Sequence, residues 1–300
     1  MESVFRDLPD NVYLSQINIP GTHDSCTAFC SMSNMSRCQS MTVNEQLKAG
    51  IRLFDIRLGE KAGNFFLVHA IATCYSDKDK QKALYFDEVL GAFRDFLKAN
   101  PEETLVVSIK QDRGIMNRCF FQRFYDKYIK GNENEWYLKN ENPNLSECRG
   151  KMVLMRRCKV WKRFLKNNAA GLDFSYWKDQ DGKKKTAPLP VRLSSEAVAT
   201  VQDRYGLPAE KKLKDCIFPF LEKAFECIGE NGFAVSFLST ANRGKGETLV
   251  EPAEKVNAEF MRYSLKTDVP SGWMLFDFPT KELIDKVIKS NFEIYKEKMK

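Results

Sequence analysis

The chain has 300 residues, 43% of them hydrophobic and 12% aromatic, enough to bury the core of one large α/β barrel or of two average domains. Its formal charge of +7 favours anionic partners, such as a phospholipid surface or a phosphorylated ligand. The basic residues are spread along the chain without a helix-turn-helix, zinc-finger or RRM pattern, which sets nucleic acid aside, and the absence of any run of about 18 apolar residues excludes a transmembrane helix.

The start, Met1-Glu2-Ser3-Val4-Phe5-Arg6-Asp7, lacks the basic-then-apolar plan of a secretory signal. The location is left open: a cytosolic protein, one exported by another route, or a natural start other than Met1. Nine cysteines cannot all pair within the chain, and none stands in a CxxC or zinc spacing. Cys26, Cys30 and Cys38 crowd one loop, but the better expectation is reduced thiols, no metal and no cofactor.

In chain order, a strand is expected over 13–19, broken by Pro20-Gly21 and followed by Thr22-His23-Asp24-Ser25. A helix over 43–49 stops at Gly50. Period-2 alternation from Ile51 to Leu58 puts Leu53, Asp55 and Arg57 on one face. A polar turn from Gly59 to Asn64 then leads to a strand ending at His69, the second of only two histidines. Helical spacing of Leu84, Val89, Leu90, Phe93, Phe96 and Leu97 predicts a helix that ends at Asn100-Pro101. A β-branched strand follows from Thr104 to Lys110, then a helical stretch over 117–129 and a short strand, Met152 to Met155, ending at Arg156-Arg157. The span 159–192 reads as irregular, with an exposed basic tip at Lys183-Lys184-Lys185. Strands at 197–201, 233–238 and 272–278 alternate with helices over 209–229, 252–264 and 280–290.

About eight strands separated by helices imply a parallel sheet, and in one uninterrupted chain they suggest a single α/β domain over 1–300, a TIM-type (β/α)8 barrel of irregular form. Chemistry in such barrels sits at the C-terminal strand ends. His23, Arg57, His69, Lys110, Arg157, Asp203 and Asp277 all fall there. Two imidazoles suit a reaction with a base for an incoming hydroxyl and an acid for a departing alkoxide. Neighbouring cations suit a phosphate, and aspartates can fix each imidazole's tautomer. The set reads as phosphodiester cleavage by acid–base catalysis. A metal route is disfavoured because the Arg57 guanidinium stands where a second ligand beside Asp55 would be needed.

Several blocks resemble one family. They are Ile-Pro-Gly-Thr-His-Asp-Ser at 19–25, Ala-Gly-Ile-Arg-Leu-Phe-Asp-Ile-Arg at 49–57, Val-His at 68–69 and Phe-Leu-Lys-Ala-Asn-Pro-Glu-Glu-Thr-Leu-Val-Val-Ser-Ile-Lys at 96–110. Arg-Gly-Lys-Met-Val-Leu-Met-Arg-Arg at 149–157, Val-Gln-Asp-Arg-Tyr at 201–205 and Gly-Trp-Met-Leu-Phe-Asp-Phe-Pro at 272–279 continue the order. The chain resembles the bacterial-type phosphatidylinositol-specific phospholipases C, which share their barrel with the X region of the eukaryotic enzymes. The resemblance implies a lyase that makes diacylglycerol and inositol 1,2-cyclic phosphate from phosphatidylinositol, with glycosyl-phosphatidylinositol anchors as a further substrate. It implies a monomer that works peripherally at a membrane surface.

By the same resemblance His23 is the general base, oriented by Asp277, and His69 the general acid, assisted by Asp24. Arg57 stabilises the phosphate in place of a calcium ion. Lys110, Arg157, Asp203 and Tyr205 take the inositol, with Arg156 a competitor for the place of Arg157. Ala70 stands where many relatives have Gly. Met32, Met35 and Met41, with Arg243 and Lys245, are candidates for contact with lipid. The alternatives are a glycerophosphodiester-type barrel enzyme that uses a metal, and an inositol-lipid binding module without turnover.

Overall fold

The fold is seen in a computed structural model that describes residues 3–181 and 188–297, so the basic tip at Lys183-Lys184-Lys185 lies outside the described residues. The strands are β1 (Ile19–Thr22), β2 (Leu53–Lys61), β3 (Asn64–His69), β4 (Ala72–Thr73), β5 (Leu105–Gln111) and β6 (Trp136–Tyr137). They continue with β7 (Met152–Arg156), β8 (Leu172–Asp173), β9 (Leu189–Arg192), β10 (Val198–Gln202), β11 (Gly232–Phe237) and β12 (Trp273–Phe276). Eight run parallel in the order β8-β7-β5-β2-β1-β12-β11-β10, which is the irregular barrel read from the alternation.

The first strand is not where the pattern put it. Leu14–Gln16 forms a 3-10 turn, and Pro20-Gly21, expected to break a strand, lie inside β1. Pro20 tolerates this because the β1–β2 ladder begins only at Gly21, and its carbonyl still accepts from the Arg52 N–H at 3.0 Å. Gly21 is there for space: a Cβ would stand 2.9 Å from the Leu53 side chain on β2. The Pro-Gly pair therefore marks close strand packing, not a turn.

The strand ending at His69 is also not a barrel strand. β2 runs on to Lys61, and β3 folds back against it as an antiparallel hairpin, so His69 reaches the barrel mouth from outside the parallel set. The far edge of β7 is shared between β6, which pairs at Met152-Val153, and β8, which pairs at Met155-Arg156. Two-residue strands carry no readable period, which is why 159–192 read as irregular. No ladder joins β8 to β10 among the described residues. The seam is bridged by Gln180, whose amide donates to the Val201 carbonyl at 2.8 Å and whose oxygen accepts from the Asp203 N–H at 2.8 Å.

The helix over 86–99 buries Phe86, Val89, Leu90, Phe93, Phe96 and Leu97 on one face, as its spacing predicts. The expected long helix over 209–229 is divided into Ala209–Lys212, a π turn at Leu213–Ile217, Phe218–Lys223 and a 3-10 turn at Ala224–Cys227. Pro219 offers no N–H to the turn before it, which accounts for the widening there. At the opposite end from the strand C-termini, Arg52 and Glu103 form a buried pair at 2.6 Å. Glu103 also accepts from the Val4 and Phe5 N–H groups, tying the N-terminal residues under the barrel.

Candidate active site

The C-terminal ends of the parallel strands open on a cavity of about 540 Å³ whose lining includes His23, Arg57, His69, Lys110, Arg157, Asp203, Tyr205 and Asp277. Asp24 lies directly beneath it, buried. The structure thus brings together the nine residues to which the resemblance gives catalytic or inositol-binding roles. Arg156 does not join them: it is buried, ion-paired to Asp173 at 2.7 Å and stacked near Phe121, while Arg157 reaches the cavity.

His23 leaves β1 with its backbone N–H bonded to the Phe276 carbonyl of β12, which sets it beside Asp277. Its Nδ1 donates to Asp277 Oδ1 at 2.9 Å, leaving Nε2 to face the cavity and Asp24 Oδ2, also 2.9 Å away. Asp24 adopts a left-handed φ of +42°, a strained conformation for a residue with a Cβ. The next residue over-determines that turn. The Ser25 hydroxyl donates to the Thr22 carbonyl and accepts from the Asp55 N–H, and Gln46 of the helix over 43–49 grips the Ser25 carbonyl. Ser25 is fully buried in these bonds and is not a nucleophile.

His69 enters from the hairpin, 6.1 Å from His23 between ring centroids and nearly perpendicular to it. Its Nδ1 donates to the Ser36 carbonyl at 2.8 Å, so Nε2 is the nitrogen turned to the site, 3.5 Å from Asp24 Oδ2. Asp24 therefore stands between both imidazoles and is closer to His23, whereas the resemblance assigned it to His69 alone. After His69 the chain turns through Ala70 at φ +50°, where glycine is at ease, and Asp112 accepts the Ala70 N–H at 2.8 Å.

Arg57 lies on the floor between three carboxylates: Asp55 at 2.8 Å, Asp24 Oδ1 at 3.4 Å and Asp112 at 3.8 Å. Asp55 also holds Arg157 at 3.1 Å, and Asp112 holds Lys110 at 2.8 Å. Arg157 packs 3.9 Å from the ring centroid of Trp177. The Tyr205 hydroxyl donates to Asp179 at 2.9 Å, leaving its ring at the rim.

These contacts set the charges. Burial pushes the Asp24 carboxyl up, but Arg57, His69 and His23 outweigh it and hold it well below the usual carboxylate range. Burial likewise opposes Asp55, yet Arg57 and Arg157 bring it down to about 2. Burial pushes His23 down, but the Asp24 and Asp277 carboxylates outweigh it and raise His23 well above its ordinary value. Burial, with Arg57 and Arg157 nearby, lowers Lys110.

The sequence reading missed Asp112, Trp177 and Asp179. Asp112 had a signal, since it follows Lys110 at the end of β5. Trp177 and Asp179 lay in the segment without periodicity. Of the rim candidates, Met32 and Met35 are exposed, while Met41 is partly buried and packs on the core.

Fold and site together define a parallel barrel whose mouth presents two imidazoles and a row of cations. Residues 18–158 match the family described as "Phosphatidylinositol-specific phospholipase C, X domain". A "1-phosphatidylinositol phosphodiesterase" of Staphylococcus aureus (strain Newman) is 28% identical over 315 residues, covering 97% of this chain and 94% of the relative. A protein of the same description from Listeria monocytogenes is 25% identical over 303 residues, covering 95% and 83%. The solved structure of a mutant phosphatidylinositol-specific phospholipase C from Staphylococcus aureus superposes with a TM-score of 0.77 at 24% identity, over 97% of this chain and 98% of that one. The Listeria monocytogenes structure gives 0.67 at 22%, over 96% and 98%. The chain thus matches the X-domain model over residues 18–158 and is similar over nearly its whole length to bacterial phosphatidylinositol-specific phospholipases C.

Proposed function

We propose that the protein is a phosphatidylinositol-specific phospholipase C acting as a single catalytic domain over 1–300, without a metal. The observation that carries this reading is the pair of imidazoles facing each other at 6.1 Å above the Arg57 guanidinium. The inositol 2-hydroxyl attacks phosphorus, and its proton passes to His23 Nε2, while Asp277 holds the Nδ1 proton and stabilises the imidazolium. The P–O bond to glycerol breaks, and His69 gives its Nε2 proton to the departing oxygen. Atoms balance as diacylglycerol and inositol 1,2-cyclic phosphate, and His23 and His69 exchange roles if water opens the ring. Arg57 meets the negative charge that grows on the equatorial oxygens.

Arg57 already saturates the carboxylates that a hard oxygen-seeking cation would need, which supports a metal-independent reaction. Lys110, Arg157 and Asp203 are disposed to hydrogen-bond the inositol hydroxyls, with the Tyr205 ring against the sugar face. Ile71, Ile115 and Met116 are exposed on loops that follow β3 and β5, and Met35 on the helical turn Ser33–Ser36, which suits an apolar rim that meets the bilayer holding the substrate. Glycosyl-phosphatidylinositol anchors share the scissile bond and are a further substrate class.

The test compares wild type with His23→Ala on phosphatidylinositol vesicles in EDTA, with cyclic inositol phosphate followed by phosphorus NMR. Cyclic product from the wild type and its loss in His23→Ala are expected. Equal product from both, or none from the wild type, overturns the assignment.

A further inference from the structure

Cys26, Cys30 and Cys38 lie buried in the loop over 26–42, and Cys74 lies buried just past β4, in a backbone β-bridge with Cys30; of these Cys38 belongs to the catalytic cavity without any part in the reaction above. Cys38 has its Sγ 3.9 Å from His69 Nδ1, and it lines the same cavity as both imidazoles. Its backbone is pinned on both sides. The N–H donates to Thr27 Oγ1 at 3.0 Å, and the carbonyl accepts from the Phe278 N–H at 2.9 Å. The thiol is therefore a fixed feature of the mouth.

Donor atoms of Asp24, Cys38 and His69 lie within 4.8 Å of one another, and so do those of His23, Cys38 and Asp277. A tetrahedral zinc ion with Zn–S near 2.3 Å and Zn–N or Zn–O near 2.0 Å asks for about 3.5 Å between its ligands. Side-chain rotation can supply that difference. Both Asp24 carboxylate oxygens are buried and held by ion pairs: Oδ2 lies 2.9 Å from His23 Nε2 and 3.5 Å from His69 Nε2, so an ion bound there takes the place of the His23 contact. Arg57 faces Oδ1, which leaves Oδ2 turned toward the imidazoles.

We infer that this mouth binds a soft divalent cation of the Zn²⁺ class through the Cys38 thiolate, His69 and Asp24 Oδ2, and that occupancy blocks turnover. Thiolate, imidazole and carboxylate are a zinc donor set, whereas calcium and magnesium ask for oxygen alone. Binding displaces the Cys38 thiol proton and the Nε2 proton of His69 to solvent, and nothing is oxidised or reduced. Without metal the thiol is inert, because burial pushes it up. The bound ion takes the nitrogen lone pair of the general acid and the carboxylate between the two imidazoles. The inhibitory half of this inference rests on the proposed reaction; the binding half does not.

The experiment therefore reads binding and activity separately, on full-length wild type, Cys38→Ser, Cys38→Ala and, as a remote thiol control, Cys148→Ser. Co²⁺ is the spectroscopic probe and Zn²⁺ the inhibitor. Wild type and Cys148→Ser should show a thiolate-to-cobalt charge-transfer band and tetrahedral visible bands, and both Cys38 variants should lack them. Zn²⁺ should inhibit the wild type reversibly with EDTA, and Cys38→Ser, read against its own metal-free rate, should raise the inhibiting concentration by more than about tenfold. A cobalt–thiolate band that survives in both Cys38 variants, no band in the wild type, or equal zinc sensitivity in wild type and Cys38→Ser overturns the inference. If no variant turns over phosphatidylinositol but the band depends on Cys38, the reaction proposed above fails while the site stands.

Discussion

Replacing Arg57 by Met removes one cation from three buried carboxylates and tests the site's electrostatics most severely. At the 3.4 Å that separates Arg57 from Asp24, an effective dielectric of about 20 gives a gross attraction of about 5 kcal/mol, and Asp55 at 2.8 Å contributes on the same scale. Desolvation of the groups offsets much of this, so the net loss expected from breaking a buried pair is about 3–5 kcal/mol. The loss should depend on pH. In the wild type Asp24 is depressed, so its contribution is present above its ordinary value and fades as pH falls through the folded value. Without Arg57 only the two imidazoles oppose burial, so Asp24 should rise and its stabilisation should fade at higher pH than in the wild type. Turnover should fall by at least about 10²–10³-fold, the cost of one lost transition-state charge partner. Arg57→Lys keeps a charge but loses the fork between Asp55 and Asp24, and should recover stability better than rate. Urea unfolding at several pH values, with cyclic phosphate production in EDTA, checks both parts. A near-normal rate in Arg57→Met, or a stability–pH curve parallel to wild type, would refute the reasoning.

Other perturbations separate the remaining parts. His23 is raised by Asp24 and Asp277, so the acid limb of the kcat/KM profile should lie above an ordinary histidine's; Asp277→Asn should move that limb to lower pH and reduce the plateau, and an unmoved limb removes His23 as the base. The ion-pair stabilisation of His23 is likewise present at low pH and lost as pH rises through its folded value. Glu103→Gln strands the buried Arg52 and should cost about 3–5 kcal/mol in urea unfolding without changing KM; a cost within experimental error would show that the pair is not holding the barrel floor. The double variant Ile71→Ser/Ile115→Ser should weaken partition onto phosphatidylinositol vesicles by about tenfold or more while leaving a soluble substrate unaffected, and unchanged sedimentation with vesicles would refute the rim.

The sequence by itself determined the barrel class and the polar residues that gather at the strand ends, because β/α alternation and the polar residues that close each strand are local signals. It could not distinguish Pro20-Gly21 as a turn from the same pair packed inside a strand, since the reason for Gly21 is the Leu53 side chain on a neighbouring strand. It could not choose between Arg156 and Arg157, which alternate across β7 so that one is buried against Asp173 and the other enters the cavity. Nor could it find β6 and β8, each two residues long and defined only by pairing with β7. The meeting of His23 with Asp277, 254 positions away, and of Cys38 with His69 is a product of closure alone. Residue type marks which groups can carry a proton or bind an ion; only the tertiary structure sets the distances at which they do so.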